Sequence, residues 1–393
     1  MKDILKCKTF WAILIASVLS VLLGLKFSEN EGTSPSNEEK TDTKLLIGTY
    51  GGHLYRYIFN RESGSFTMQD KIETVNPSYV TASCDEEGRT SVVAVCENGG
   101  ESGVYSFEEK RGRLKLTAGL MQTGADPCYI MDMNGSYILT ADYSGGSISV
   151  IPIKEGRLGE RCEQLCFEGS GPVEGRQESS HIHQIRQVPT VENISEDWIL
   201  ASDLGADVIR LIFVSRIDSQ MHGQSIMLVH ISDIPCPPGS GPRHMEFSMD
   251  GKTLYCIAEL SGEVLAYEIS NPDGTPAFTL KQRIQADEVN AGGSADIHIP
   301  PSCKWLYTSH RLDNDGIAIF EIQEDGLLEK VGYTRTARHP RNFMITEDGK
   351  QLLVACRDDN LIQVFDIGDD GLLTLTPSVL RFENDRPSSV TTF

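Results

Sequence analysis

The sequence is poor in positive charge. Its 393 residues include 35 lysines and arginines against 56 aspartates and glutamates, so the formal net charge is −21 at pH 7. The first 26 residues carry four lysines against one aspartate, a net +3, so the remainder carries −21 − 3 = −24. A field of this sign argues against a nucleic-acid partner. It also repels anionic ligands, so an anionic substrate would require a local cluster of arginines.

Several catalytic signatures are missing as well. No Gly-x-Ser-x-Gly elbow, no complete phosphate-binding loop ending in Gly-Lys-Ser/Thr and no dinucleotide fingerprint occurs in the chain. These motifs position a nucleophilic serine, a nucleoside triphosphate or a nicotinamide cofactor. Their absence disfavours a serine esterase, an NTPase and a dehydrogenase.

Long hydrophobic runs are scarce. One occurs at residues 10–25, FWAILIASVLSVLLGL, and its 16 residues fall short of the ~20 that span a bilayer comfortably. Because lysines precede it, residues 1–26 are predicted to be a signal peptide or a short membrane anchor, with attachment through 10–25. No Ala-x-Ala site and no lipid-bearing cysteine follows, so cleaved and uncleaved forms both stay open. The polar residues 27–43 are predicted to be a flexible linker, and a single folded domain is predicted at 44–393.

The ten cysteines show little sign of a disulfide framework. Most stand singly beside strand-like runs and are interpreted as small buried residues. Three lie in apparent loops: Cys162, Cys166 and Cys236. Free thiols and a single disulfide are both open for these three.

The same unit recurs seven times along the chain. An apolar strand running into a polar loop appears as LLIGTYGG, VVAVCENGG, ILTADYSGG, ILASDLGAD, LYCIAELSG, LYTSHRLDN and LLVACRDDN. Each copy is followed by a strand of alternating apolar and polar residues, which predicts hairpins. A third pattern precedes the first in later copies, as NPSYV, DPCYI, SHIHQI, GPRHM, ADIHI, HPRNF and RPSSV.

The third pattern is offset from the others. The first unit has no copy before it, whereas the chain ends with a spare copy near residues 386–390. The offset predicts that the C-terminal strand, residues 388–393, pairs into the first blade and closes a ring without exposed edges. The predicted fold class is therefore all-β, a seven-bladed β-propeller closed by its C-terminal strand.

Two rings of side chains are predicted at the mouth of the central channel, where propellers commonly bind ligands. The residues aligned after the second strands are Tyr50, Glu97, Asp142, Asp203, Glu259, Arg311 and Arg357. The residues aligned on the inner strands are Tyr79, Tyr129, His183, His244, His298, Asn342 and Ser389, with Arg243 and Arg341 one position earlier.

Four of these side chains form the strongest catalytic candidate: His183, Arg243, Glu259 and Arg311. Together they offer a base, a carboxylate and two fixed cations, which suits chemistry on an anionic oxygen ester. We expect His181, His244, His298 and Arg341 to contact the substrate.

Simpler interpretations stay open for several ring members. Acidic residues after a strand often cap turns, as Glu97, Asp142 and Asp203 could. His244 and His298 could be hydrogen-bonded core histidines. Arg341 could form ion pairs between blades. His181 and His183 could bind zinc, but the spacing indicates no third ligand and no metal is predicted.

Residues 46–393 resemble the seven-bladed propeller lactonases, the group that contains propeller-type 6-phosphogluconolactonase and fungal carboxymuconate cyclase. The resemblance rests on these segments in order: IGTY, NPSYV, DPCYI, ADYSGGSISV, RQESSHIH, SDLGAD, GSGPRHMEF, AEL, ADIH and HPRNF. It assigns the family's active residues to His183, Arg243, Glu259 and Arg311. His310 stands where the family commonly has asparagine, which would affect substrate preference.

The resemblance implies hydrolysis of an anionic sugar lactone, 6-phosphoglucono-1,5-lactone above all, without a cofactor. His183 would activate water with Glu259 orienting it, and the pH profile would show a limb near ~6.5. The arginines would hold the developing oxyanion and the anionic group. A carboxymuconate cyclase-like isomerase and a non-catalytic binding propeller are the alternatives.

The family implies a cytoplasmic protein, whereas residues 1–26 imply export or anchoring on the periplasmic or extracellular side.

Overall fold

The computed structural model describes residues 41–84, 89–190, 194–219 and 223–393. The predicted signal peptide or anchor at 1–26 lies outside the described residues, as does the predicted linker up to residue 40. The first strand, β1, begins at Asp42. Across the described ranges, no helix combines the length and the apolar character needed to cross a bilayer.

The described strands form seven antiparallel sheets arranged as the blades of a propeller, which confirms the predicted fold class. Blade 1 contains β1 (Asp42–Thr49), β2 (His53–Asn60), β3 (Ser65–Glu73) and, from the end of the chain, β29 (Pro387–Thr392). Blade 2 contains β4 (Val80–Cys84), β5 (Thr90–Cys96), β6 (Gly103–Lys110) and β7 (Arg113–Gln122). Blade 3 contains β8 (Pro127–Met133), β9 (Tyr137–Asp142), β10 (Ser147–Lys154), β11 (Arg157–Leu158) and β12 (Glu163–Cys166).

The other four blades have four strands each. Blade 4 contains β13 (Ile182–Gln187), β14 (Trp198–Asp203), β15 (Val208–Ser219) and β16 (Gly223–Pro235). Blade 5 contains β17 (Pro242–Phe247), β18 (Thr253–Ala258), β19 (Glu263–Ser270) and β20 (Ala277–Gln285). Blade 6 contains β21 (Ser294–His298), β22 (Trp305–His310), β23 (Gly316–Ile322) and β24 (Leu328–Arg335). Blade 7 contains β25 (Pro340–Ile345), β26 (Gln351–Cys356), β27 (Leu361–Ile367) and β28 (Leu373–Arg381). Short 3-10 turns occur at Gly99–Glu101, Leu312–Asn314 and Arg357–Asp359.

The C-terminal strand closes the ring, as the repeat count predicts. β29 pairs antiparallel with β1, with Val390 opposite Ile47 and Ser389 opposite Gly48. In each blade the strand nearest the channel comes first in the repeat, so blade 1 is complete only when β29 supplies its inner strand. The two ends of the propeller domain are therefore neighbours in one sheet.

The hydrophobic core lies between adjacent blades. Leu45, Leu46 and Ile47 of β1 are all fully buried, because a strand in the middle of a blade packs on both faces and reads as a continuous apolar run. One cluster joins Leu45 of blade 1 to Leu353 and Val364 of blade 7. The outermost strand β3 instead alternates exposed and partly buried residues, since one of its faces meets water.

All nine cysteines in the described ranges are free thiols. They include Cys162, Cys166 and Cys236, so the free-thiol interpretation is confirmed for these three, although Cys166 ends strand β12 and does not lie in a loop. Burial raises the pKa of Cys236 to about 12, and its sulfur lies 3.2 Å from the hydroxyl of Tyr267. It is therefore a protonated core residue at neutral pH.

Candidate active site

The mouth of the channel is ringed by the residue that follows the second strand of each blade. In all seven blades the N–H of this residue donates to a carbonyl shortly before an inner strand. The seven residues are Tyr50, Glu97, Tyr143, Leu204, Glu259, Arg311 and Arg357. The predicted ring was wrong at two places, because Asp142 and Asp203 lie one position earlier, at the ends of β9 and β14.

Asp142 and Asp203 stabilise their own blades. Asp142 accepts hydrogen bonds from the hydroxyls of Ser147 and Ser149, at 2.8 and 2.7 Å. Asp203 accepts one from Nη2 of Arg210 at 2.7 Å. Both carboxylates are fully buried, so the structural interpretation is confirmed for these two residues and they do not face the mouth.

Six of the seven inner strands contain a one-residue bulge near their start, and in β17 the extra residue is Arg243. The equivalent residues of other blades are Cys128, His183 and Arg341. An extra residue changes the side-chain register by one. The sequence predicted that His183, His244 and His298 lie at one level. This prediction was wrong, because the bulge shifts the register of the side chains. His183 shares the level of Arg243, His244 lies one residue farther along its strand, and His298 is the last residue of β21.

Three guanidinium groups converge on the carboxylate of Glu259. Nε of Arg243 lies 2.7 Å from Oε2, and Nη2 of Arg311 lies 3.2 Å from the same oxygen. Nη2 of Arg176 donates to Oε1 at 2.7 Å. Three of the four predicted catalytic residues are thus brought into direct contact around one buried carboxylate.

This cluster contains more positive than negative charge. Burial opposes ionisation of Glu259, but Arg311, Arg243 and Arg176 outweigh it and lower the pKa of Glu259 to about 2. The carboxylate is therefore ionised at neutral pH and balances one of the three cations. Burial also lowers the pKa of Arg243 despite the attraction of Glu259. An excess of cations at the mouth of an acidic protein favours an anionic ligand.

Arg341 lies beside this cluster and connects three blades. Its Nη2 donates to the hydroxyl of Tyr50 at 2.7 Å, and that hydroxyl donates to Oε2 of Glu97 at 2.7 Å. The guanidinium carbon of Arg341 is 5.1 Å from the centre of the Tyr50 ring. Arg341 therefore links blade 7 to blades 1 and 2 while bordering the mouth.

His183 is a buried imidazole close to the arginines. Its ring centre is 5.6 Å from that of Tyr143 and 5.2 Å from that of His244. Its Nδ1 lies 3.8 Å from Sγ of Cys128. Burial, followed by the charge of Arg243, holds the pKa of His183 well below its usual value. The ring is neutral at pH 7 and able to accept a proton, and the predicted titration near ~6.5 is replaced by one at lower pH.

His181 lies at the mouth and stacks on Tyr143. The two ring centres are 4.4 Å apart with 8° between the planes, and Nδ1 of His181 donates to the Tyr143 carbonyl at 2.9 Å. Across the parts of the chain that the structure describes, no group of three or more histidine, cysteine or acidic side chains is placed to hold a metal ion. His181 and Tyr143 instead present a flat aromatic surface.

His244 and His298 belong to a network around Asp296. Nδ1 of His244 lies 2.7 Å from Oδ1 of Asp296, and Nε2 of His298 lies 3.0 Å from Oδ2. Burial opposes protonation of His298, but Asp296 and Glu246 raise its pKa to about 10. His298 lines a cleft of about 510 Å³ where the inner strands end. His298, which the sequence predicted to contact the substrate, is ion-paired with Asp296 in this network.

His310, the departure from the family pattern, is the last residue of β22. It is fully buried. Its Nδ1 lies 2.8 Å from the hydroxyl of Ser294, and its Nε2 lies 2.8 Å from the hydroxyl of Thr308. The first contact joins β21 to β22 and the second lies within β22, so the histidine supports the blade.

Arg176 was not predicted as a site residue, although it is the only lysine or arginine in the glycine-rich loop before β13, residues 168–181. The next residue, Gln177, is 1% exposed. Its Nε2 donates to the carbonyl of Leu204 and to Oδ1 of Asp207, both at 2.8 Å. A buried glutamine thus fixes the loop so that Arg176 reaches Glu259 of blade 5. Tyr143 was missed because the alignment placed Asp142 in the ring.

Comparison with known proteins agrees with the fold. Residues 44–391 match the family profile described as "Lactonase, 7-bladed beta-propeller". The 6-phosphogluconolactonase of Formosa agariphila is 33% identical over 333 residues, which are 82% of this chain and 91% of the relative. The 6-phosphogluconolactonase of Bacillus subtilis is 29% identical over 351 residues, 85% of this chain and 94% of the relative.

Solved structures show the same propeller. A Bacteroides fragilis protein described as a candidate 6-phosphogluconolactonase superposes with a TM-score of 0.82 at 38% identity, covering 92% of this chain and 100% of that one. A periplasmic gluconolactonase from Pseudomonas aeruginosa superposes with a TM-score of 0.77 at 26% identity, covering 89% and 98%. The profile match spans nearly the whole ring of blades, and the chain belongs to the seven-bladed β-propeller lactonase family.

Proposed function

We propose that this protein is a carboxylic ester hydrolase that opens a sugar lactone, with 6-phosphoglucono-1,5-lactone as the leading substrate. The observation that carries the proposal is the convergence of Arg176, Arg243 and Arg311 on Glu259 at the mouth of the channel. The relatives from Formosa agariphila and Bacillus subtilis support the phosphorylated substrate through their names. The proposed reaction uses water and the protein's own side chains, without a cofactor.

In the proposed reaction His183 acts as the general base. The neutral imidazole takes a proton from a water molecule, whose oxygen attacks the lactone carbonyl carbon. Arg243 stabilises the oxyanion of the tetrahedral intermediate. The bond from that carbon to the ring oxygen then breaks, and the imidazolium returns its proton to the ring oxygen. One water is consumed, and the products are a carboxylic acid group and a hydroxyl on the same molecule.

Glu259 receives a different role from the one predicted. The sequence-based scheme used it to orient the water-activating group. Its two oxygens instead contact Arg243, Arg311 and Arg176, and its pKa of about 2 makes it a poor proton donor at neutral pH. We assign Glu259 the task of positioning the guanidinium groups.

Replacing His183 with glutamine should slow lactone opening and remove the acid limb of the pH profile. In the wild type, burial and Arg243 lower the pKa of His183, so the base form is present at neutral pH and is lost as the pH falls through that lowered pKa. Wild-type kcat/KM should therefore be flat near neutrality and decline only below the ~6.5 of an ordinary histidine. The measurement is kcat/KM against pH, corrected for spontaneous ring opening. His230→Gln, on outer strand β16, is the matched control and should keep the wild-type profile; an acid limb that survives His183→Gln would place the base elsewhere.

The reaction class is tested by following acid release from phosphorylated and plain sugar lactones, again corrected for spontaneous opening. The proposal expects turnover of 6-phosphoglucono-1,5-lactone above that of glucono-1,5-lactone. Turnover of a carboxylated muconate without lactone hydrolysis would instead support the isomerase. Binding of both lactones without any turnover would support a binding propeller.

We also propose that the protein is exported or anchored outside the cytoplasm. The support is the lysine-led hydrophobic run at 10–25 and the periplasmic description of the Pseudomonas aeruginosa relative. In a Gram-negative host the full chain should fractionate with the periplasm or membrane. A variant that starts at residue 42 should stay in the cytoplasm as soluble protein with an unchanged unfolding midpoint, since β1 begins there. Cytoplasmic recovery of the full chain would contradict export.

A further inference from the structure

Arg176 is the most accessible of the three arginines around Glu259. Its side chain is 37% exposed, against 2% for Arg243 and 7% for Arg311. It contacts Glu259 through Nη2, which is one of the nitrogens of a guanidinium that carries five N–H donors. Arg176 can therefore keep its contact with Glu259 and present donors to a molecule in the mouth, whereas Arg243 and Arg311 expose only a small fraction of their side chains.

The backbone under Arg176 is fixed. Besides its bonds to Leu204 and Asp207, the side chain of Gln177 accepts a hydrogen bond from the N–H of Val173 at 3.1 Å. The N–H groups of Arg176 and Gln177 both donate to the carbonyl of Val173, at 3.1 and 2.9 Å. Because the loop backbone is fixed, only the arginine side chain has to change conformation when a ligand binds. This reduces the conformational entropy lost on binding.

The same anchor holds the segment that leads to Arg243. Oδ1 of Asp207 accepts from Nε2 of Gln177 and from the N–H of Gly241, both at 2.8 Å. Its Oδ2 accepts from the N–H of Gly239 at 2.6 Å. One buried carboxylate thus sets the positions of the Arg176 loop and of the start of the strand that carries Arg243. Two cations at different depths are held at a fixed spacing.

We propose that Arg176 determines specificity for the anionic substituent of the substrate, binding the phosphate group of a phosphorylated sugar lactone at the mouth. This rests on the proposed lactonase function. The lactone ring then lies deeper, toward Arg243 and His183. A phosphate oxygen pair suits the planar guanidinium, and the cation excess around Glu259 makes binding of an anion favourable without displacing the carboxylate.

Equilibrium binding tests the proposal without turnover. The probes are 6-phosphogluconate and gluconate, which differ only in the phosphate group, measured by titration calorimetry. Arg176→Gln should weaken binding of 6-phosphogluconate about 10- to 100-fold and change binding of gluconate by less than about 3-fold. Arg176→Lys, which keeps the charge but not the planar fork, should recover part of the affinity.

Arg283→Gln is the matched control, because Arg283 is also exposed and pairs with one glutamate, Glu263, at 3.0 Å. It lies on outer strand β20 and should leave both affinities unchanged. With lactones, Arg176→Gln should raise KM for the phosphorylated substrate by a larger factor than KM for the plain one.

Equal weakening for both ligands, or none for either, would overturn the assignment of Arg176. So would a wild-type protein that binds gluconate as tightly as 6-phosphogluconate. If the wild type binds 6-phosphogluconate selectively but opens neither lactone, the proposed function fails and the phosphate contact stands. Unfolding midpoints of all variants confirm that folded proteins are compared.

Discussion

Replacing Arg243 with methionine should lower lactone turnover by about 10²- to 10³-fold, with little change in folding stability. Methionine retains much of the apolar stem at this buried position, but it removes the guanidinium that we assign to the oxyanion. Glu259 keeps Arg311 at 3.2 Å and Arg176 at 2.7 Å, so it is not left as an isolated buried charge. Removing one of three clustered cations also relieves their mutual repulsion. The measurements are kcat from acid release and the midpoint of thermal unfolding.

Arg210→Met is the matched control for this prediction. Arg210 is 5% exposed, and its Nη2 pairs with Oδ2 of Asp203 at 2.7 Å inside blade 4. Its loss leaves a buried carboxylate without its cation, which should cost about 3–5 kcal/mol of stability while turnover per folded molecule is retained. If Arg243→Met is instead destabilised and still opens the lactone within a few-fold of wild type, the oxyanion is stabilised elsewhere.

The fold was predictable from the sequence because a propeller repeats one supersecondary unit. Each blade uses the same strand lengths and the same apolar middle strands, so seven copies of a pattern become visible without any tertiary information. The spare copy near Pro387 also predicted the pairing of β29 with β1, which the register confirms. Ring closure could be predicted because it follows from the number of strands, and the strand patterns can be counted in the sequence.

The site was predictable only in part, and the reason is local geometry. Arg243, Glu259 and Arg311 were identified because they lie next to recognisable strand patterns, which could be aligned between the repeats. Asp142 was placed in the mouth ring by the same reasoning, yet it ends β9 and its carboxylate is turned into the blade. A bulge or a one-residue difference in strand length leaves no pattern in composition, although it decides which side chain faces the channel.

Contacts between blades were also beyond the sequence. Arg176 is 83 residues from Glu259 along the chain, and its loop has no periodic pattern that would place it over a neighbouring blade. His244 of blade 5 and Asp296 of blade 6 are 52 residues apart along the chain, yet their side chains lie 2.7 Å apart. Such contacts are visible only in the three-dimensional structure. They are also the reason that Glu259 is assigned to position the arginines and not to donate a proton.

Deleting residues 387–393 should have the largest effect on stability, because it opens the ring. We expect either loss of soluble protein or a fall in the unfolding midpoint on the order of 10 °C or more. β29 is the inner strand of blade 1, so its removal leaves one edge of β1 without a partner. It also removes Val390, 3% exposed, from the core that blades 1 and 7 share. Thermal unfolding followed by circular dichroism measures the midpoint and the cooperativity.

The closing strand is tied to the blades on both sides, which provides a specific control. The N–H of Val390 donates to Oδ1 of Asn342 in blade 7 at 2.7 Å, and the hydroxyl of Ser388 donates to the carbonyl of Ser78, just before blade 2, at 2.8 Å. The missing contacts all belong to one continuous strand, so a synthetic peptide of residues 385–393 can replace them. Adding this peptide should raise the unfolding midpoint of the truncated protein, whereas a scrambled peptide should not. A truncated chain that unfolds in one cooperative transition at the wild-type midpoint would show that β29 does not stabilise the ring.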